Sequence, residues 1–345
     1  MSNFQLSIPG LPVAVNYNLI VVLIAAGLDY LIGDPWGWPH PVRVMGWAIA
    51  NYTKLSFKIT KNLTENWHRL ILKLIGVFLA IALILGSGFI GYLMAILLRS
   101  LSSQLLPVAM VLESMLLASC FAGRSLRDAA EDVLKVLETG DIVKARQKLS
   151  LYVGRDTENL SRSQILRAVL ETVTENGTDG VMAPLFYALV GALIPGVGSI
   201  PLALAYKAAS TLDSTIGYKE EPYTDIGWFS AKLEDVLTWI PCRLTVMTIA
   251  LLSGKPLYVW SICRRDAIKD PSPNAGWSEC AYAAALEVQM GGTNTYKGVV
   301  KDKPLLGDSV KAIAPETVRQ ALALTRYSFL IWLGLFTIYY LWGRF

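Results

Sequence analysis

The sequence predicts an all-α, polytopic integral membrane protein. It would have about four firm transmembrane helices, one or two re-entrant or interfacial segments, and helical loops on the cytoplasmic side. Three observations carry this expectation. Apolar residues make up 53% of the 345 and charged residues only 17%, against about 25% charged in an average soluble chain, so too few polar side chains remain to cover a soluble globule. Residues 74–98 run without a charge between Lys73 and Arg99, enough to cross about 30 Å of hydrocarbon. The cations are also clustered: residues 33–73, 124–180 and 253–326 hold 25 of the 31 Lys and Arg, and the positive-inside rule assigns those loops to the cytoplasm.

Residues 1–10 have no basic stretch before the first apolar run, so a cleaved signal peptide is not expected. Residues 15–32 form an apolar run interrupted by Asp29, and residues 105–122 one interrupted by Glu113; both are expected spans. Within residues 74–98, Gly86-Ser-Gly-Phe-Ile-Gly91 spells a dinucleotide-binding pattern. Lacking a preceding strand, it is better explained by close helix packing. Residues 123–180 place apolar side chains at three and four spacings, with a stop and restart at Gly140-Asp141, which predicts an amphipathic helical layer.

Residues 181–206 carry no charge but are broken by Pro184, Pro195, Gly196, Gly198 and Pro201, so two half-helices are expected in place of one rod. Pro241 and Arg243 interrupt residues 236–254 and favour an interfacial or re-entrant segment, because a mid-span arginine is costly. Residues 327–343 end in Tyr339, Tyr340 and Trp342, an interfacial aromatic anchor for a last span. The whole is expected to be one membrane domain, 1–345, with function carried by cytoplasmic-side loops 29–73, 123–180, 207–235 and 254–326.

Four scattered cysteines without a Cys-x-x-Cys pair, and two histidines, argue against a zinc site or a disulfide framework. A net charge of +4 suggests no nucleic-acid partner.

Several strings carry chemistry. Asp29, Asp34, His40 and Arg43 sit among Pro35, Pro39 and Pro41, which hold the chain extended so that it can face a ligand; Trp36 and Trp38 there suit an aromatic belt. Glu171, Glu175 and Asp179 recur every four residues, one helical turn apart, so they form a carboxylate stripe. These hard oxygen ligands suit Mg²⁺ carrying phosphates, although a solvated acidic face is the ordinary alternative. Lys207, Thr211, Asp213 and Ser214 combine a phosphate-binding cation with hydroxyls and a possible metal ligand. Arg155, Arg243, Asn176, and Ser272 and Asn274 of a Pro-Ser-Pro-Asn loop complete the candidates.

In order along the chain, these strings resemble the adenosylcobinamide-phosphate synthase family of cobalamin biosynthesis, the CbiB/CobD membrane proteins. The resemblance runs from Asp29-x-x-x-Gly33-Asp34-Pro35 and Pro39-His40-Pro41-Val42 to Gly291-Gly292. Between them lie Val153-Gly-Arg-Asp-Thr157, Glu171-x-x-x-Glu175-Asn176-x-x-Asp179-Gly180, Tyr206-Lys207-Ala208, Thr211-Leu-Asp-Ser214, Pro241-x-Arg243-Leu244 and Pro271-Ser-Pro-Asn-Ala-Gly-Trp277. Asp128 and Asp270 stand where many members have His, which argues against an essential histidine there.

The resemblance implies an ATP-dependent amide ligation of aminopropanol, or its phosphate, to a propionate carboxyl of adenosylcobyric acid, through an acyl phosphate. Glu171, Glu175, Asp179 and Asp213 would then hold Mg²⁺ or take the amine proton, and Lys207, Arg155 and Arg243 would neutralise phosphates. Asp34, His40, Asn176, Thr211, Ser272 and Asn274 would line the substrate. The implied partners are the corrinoid, the amine, membrane lipid and other membrane enzymes of the pathway, at the cytoplasmic face of the cell membrane. The alternative class is a non-catalytic membrane signalling protein like the AmpE proteins, but clustered charges at a bilayer favour an enzyme. A transporter would need paired inverted segments, which the sequence lacks.

Overall fold

A computed structural model describes residues 5–6, 15–33 and 40–342 and is 75% helical. Strands β1 (Gln5–Leu6) and β2 (Val15–Asn16) pair antiparallel and lead into α1 (Tyr17–Leu31), α2 (Pro41–Thr60), α3 (Glu65–Arg99) and α4 (Leu106–Ala118). Then come α5 (Gly123–Glu138), α6 (Ile142–Leu149) and α7 (Arg162–Asn176), which widens into a π turn at Gly177–Met182. Next are α8 (Ala183–Leu193), α9 (Ser199–Ile216), α10 (Trp228–Leu252), α11 (Pro256–Asp266) and α12 (Ala275–Leu286). An antiparallel hairpin of β3 (Met290–Tyr296) and β4 (Val299–Leu306) precedes the last helix, α13 (Pro315–Trp342). Asp34, Trp36 and Trp38 lie outside the described residues.

Among the described residues three helices, α3, α10 and α13, are long and apolar enough to cross a membrane, or four spans if residues 103–118 and 123–138 count together as one. At 35 residues, α3 is about 52 Å long and exceeds the hydrocarbon thickness, so its polar first turns extend past it. Of the four expected spans, α3 and α13 have the length. α1 has 15 residues and α4 13, about 22 and 20 Å. The segment expected to be interfacial or re-entrant lies on the continuous helix α10. Arg243, which argued against a span, is answered there by Pro273 O at 2.9 Å, Asn274 Oδ1 at 3.3 Å and two tryptophan faces, which removes much of its desolvation cost. Residues 181–206 do break: α8 ends and α9 begins across 194–198, where Gly196 and Gly198 take positive φ.

Contacts divide the chain into two compact units. The first holds residues 1–122, 183–237 and 333–345, and the second residues 123–182 and 238–332, so α10 and α13 contribute to both. In the first unit, Ile49, Leu79, Ala80, Leu212 and Ile216 form a buried cluster uniting α2, α3 and α9. The glycine-rich string on α3 does pack against a helix: a Cβ at Gly91 would stand 2.9 Å from Leu204 Cδ1 and 3.1 Å from Ile200 Cγ2. The same unit buries Glu113 completely, bonded to Arg99 at 3.1 and 3.0 Å and to the Tyr17 hydroxyl at 2.8 Å.

The second unit packs α7 and α12 through hydroxyls. Ser278 donates to Thr174 O at 2.6 Å, and its Oγ lies 2.6 Å from that of Thr178. Buried Tyr282 meets Thr325 in the same way. The hairpin docks on this pair of helices. It is the one element of the described fold that the all-α expectation lacks, apart from the short β1–β2 pair.

Candidate functional site

The site is built from α7 outward. Ser161 and Gln164 form a reciprocal capping box at its start, which fixes the helix register and sets Arg167, Glu171 and Glu175 on successive turns. Glu171 is 1% exposed. Its Oε2 pairs with Arg155 at 2.5 Å, its Oε1 lies 3.7 Å from Arg167 Nε, and Oε1 also accepts the Gly291 N–H at 3.0 Å. Arg167 continues to Gly291 O and Thr293 O, and Asn294 Oδ1 accepts from Arg155 at 2.9 Å and Arg167 at 3.0 Å.

Glu171 is thus the centre of a clamp that holds β3 on α7. Gly291 is required there, because its φ is +86° and a Cβ would stand 2.0 Å from Pro304 O. Asp156, next to Arg155, closes the other end of the hairpin: its carboxylate accepts from the Lys297 and Gly298 N–H groups at 2.9 and 2.8 Å.

Beside the clamp lies a denser charge. Glu279 on α12 is fully buried; Lys303 Nζ reaches its Oε1 at 3.4 Å, and its Oε2 has no hydrogen-bond partner among the described residues. Burial pushes the Glu279 carboxyl well above the ordinary carboxylate range; Lys303 opposes that shift, and negative Glu175, Glu171 and Asp270 reinforce it. Burial disfavours the Lys303 charge, yet Glu279, Glu175, Glu171 and Asp270 outweigh it and raise its proton affinity. Four carboxylates from α7, α12 and the loop before α12 therefore act on one lysine of β4.

Glu279 and Lys303 are not among the residues that sequence reasoning selects. The available signal is a lone carboxylate in the small, apolar stretch Ala275–Leu286.

Among the other expected residues of the second unit, Ser272 Oγ accepts from the Asn274 and Ala275 N–H groups at 3.3 and 3.1 Å, opening α12. Asn274 is buried and holds Arg243. Arg243 stacks between Trp239 and Trp277, 5.1 and 4.6 Å from their ring centres. Glu175 and Asp179 are half-buried, Asp179 within the π turn, and exposed Asn176 donates to Thr172 O at 2.9 Å.

In the first unit, Lys207, Thr211 and Asp213 lie on α9; Thr211 Oγ1 donates to Lys207 O at 2.7 Å, and Lys207 and Asp213 are half-buried. Six residues apart, those two point about 120° apart around the helix. His40 Nδ1 accepts from Val42 N–H at 3.3 Å and caps α2.

Among the described residues no group of three His, Cys, Asp or Glu side chains is placed to hold a metal ion, and Glu171 is already committed to two arginines and a backbone N–H. Arg155 is likewise turned inward, its side chain 7% exposed.

Membrane-length helices joined to a unit with buried carboxylates, arginines and a lysine define an α-helical integral membrane protein with a charged internal site. The family model described as CobD/Cbib protein matches residues 22–325, and the chain belongs to that family. It is 52% identical over 317 residues to a Synechocystis sp. protein named cobalamin biosynthesis protein CobD, covering 91% of this chain and 90% of that one. It is also 40% identical over 300 residues to the CobD protein of Clostridium perfringens, covering 86% and 89%. The CbiB protein of Salmonella typhimurium is 38% identical over 312 residues, covering 89% and 92%. No solved structure matches.

Proposed function

We propose that this protein is an enzyme of cobalamin biosynthesis that joins aminopropanol, or its phosphate, to the free propionate carboxyl of adenosylcobyric acid. The product would be adenosylcobinamide or its phosphate. The observation that carries the proposal is membership of the CobD/CbiB family across residues 22–325, with relatives named for cobalamin biosynthesis over about nine-tenths of their length. A carboxylate is a poor electrophile, so phosphoryl transfer from ATP first makes an acyl phosphate; the amine then attacks the carbonyl carbon, the C–N bond forms and phosphate leaves. Mg²⁺ enters only as the ion that accompanies ATP.

In the second unit, half-buried Glu175 and Asp179 would face the reacting amine and Arg243 would meet phosphate oxygens; in the first unit, Lys207 is by itself a phosphate contact and exposed Trp228 an apolar contact for the corrin edge. The reaction face is cytoplasmic, at the cell membrane, where ATP and the other membrane enzymes of the pathway meet it.

The test is to incubate the purified full chain with adenosylcobyric acid, Mg-ATP and either amine, and to weigh the corrinoid. Appearance of the amide, dependent on ATP, is expected; an unchanged corrinoid with both amines would remove the proposal. Glu175→Gln should insert normally and lose ligation, whereas near-wild-type turnover would take Glu175 out of the reaction. Lys207→Ala should raise the KM of aminopropanol phosphate more than that of aminopropanol, and equal effects would deny a direct phosphate contact.

A further inference from the structure

Glu279 poses a physical problem that the clamp does not solve. One oxygen of a fully buried carboxylate has no partner among the described residues, and such an orphan gives up its hydration with nothing in return. Lys303 answers only the other oxygen, at 3.4 Å, a long contact for a charge-assisted hydrogen bond. The lysine itself is not sealed in: 30% of its side chain is in solvent while its ammonium stands against a carboxylate that is 0% exposed. The Lys303 side chain thus runs from solvent to the buried Glu279 carboxyl. Since the group now standing there is a primary ammonium, the local chemistry is already that of an N–H donor cation. A divalent ion suits it less, because the described residues place no group of three metal-ligating side chains together.

We propose that Glu279 is the acceptor of an ammonium subsite, with Lys303 as its built-in occupant, displaced outward on the mobile stem when the ammonium of an amine substrate arrives. Glu175 and Asp270 add negative charge around the same point. The identity of the ligand as the amine to be ligated rests on the function proposed above; the ammonium site itself does not.

Two measurements on the detergent-solubilised full chain test this. In Lys303→Ala the subsite is vacant, so propylammonium chloride should raise the melting temperature by several degrees through binding to the native state. KCl and MgCl₂ at matched ionic strength should not. No rise, or an equal rise with the inorganic salts, would overturn the subsite. The second measurement is ligation kinetics of Glu279→Gln, which keeps the shape and removes the charge. The KM for aminopropanol should rise roughly tenfold or more, the loss expected for a hydrogen bond to a charged group. An unchanged KM in an active protein would overturn the subsite. A wild type that ligates nothing would remove the proposed function while the melting experiment still decides the subsite, and a Lys303→Ala chain that does not fold leaves the kinetic result to decide it.

Discussion

Glu171→Ala separates a supporting carboxylate from a reacting one. The substitution removes the shared partner of Arg155 and Arg167, whose side chains are 7% and 19% exposed, and the acceptor of the Gly291 N–H. Breaking a buried ion pair by deleting one member costs about 3 to 5 kcal/mol, and the abandoned N–H belongs to the same event and is not added separately. For a unit of this size, about 2 to 4 °C per kcal/mol implies a fall in melting temperature of roughly 6 to 20 °C. The loss should be local first: amide hydrogen exchange across Met290–Leu306 should accelerate before that of α7 and α12, because the clamp is what holds β3 to α7. Glu171→Gln keeps an oxygen for the Gly291 N–H and should lose less. If Glu171→Ala leaves exchange in the hairpin and the melting temperature unchanged while abolishing ligation, Glu171 acts on substrate and the clamp contributes nothing.

Gly291→Ala should be disruptive for a different reason, since the new Cβ meets Pro304 O at 2.0 Å and φ is +86°; hairpin exchange should rise as in Glu171→Ala, and a wild-type melting curve would contradict the stated close approach. Arg99→Ala leaves Glu113 fully buried without its cation and should cost about 3 to 5 kcal/mol, read from denaturation in detergent, whereas joint replacement by Leu and Met should recover part of it. Asp266 supplies a pH dependence. Burial pulls its carboxyl upward, but Arg265, Lys269 and the Gly307 N–H outweigh that and hold it below the ordinary value. A depressed carboxylate contributes stability above the unfolded pKa of about 4 and loses it as pH falls through the folded value. The melting gap between wild type and Asp266→Asn should therefore be full at pH 6 and shrink below about pH 4; a gap that grows on acidification would refute the sign.

Composition and long apolar runs made the membrane class and the helices α3 and α13 legible, because hydropathy is a local property. The broken stretch before Tyr206 was legible for the same reason, in its prolines and glycines. α10 was not: Arg243 is costly in isolation, and its partners Pro273 and Asn274 lie some thirty residues on, where no local pattern reports them. The hairpin was hidden by composition. β3 carries Gly291 and Gly292, β4 carries Pro304, and its turn is Lys297-Gly298, both at positive φ. That signal lies in an X-Gly pair and not in apolar alternation. Of the expected acidic stripe, Glu171 and Glu175 do share α7 while Asp179 lies beyond it in the π turn; periodicity states which residues share a face, not what meets it.

What meets it divides the stripe. Glu171 and Glu175 stand one turn apart on α7, yet the first is sealed against Arg155, Arg167 and Gly291 while the second is half-buried and adds its charge to that on Glu279 and Lys303. A carboxylate with two arginines and a backbone donor has little freedom to ligate or to move a proton, so its value is rigidity. The hairpin it anchors is also the element that carries Lys303. The same helix face therefore fixes the strand with one acid and shapes the field at the lysine of the neighbouring strand with the next. Loosening the clamp should then be felt at Lys303 even though Glu171 and Lys303 share no hydrogen bond, because the position of the ammonium is set by where α7 holds β3.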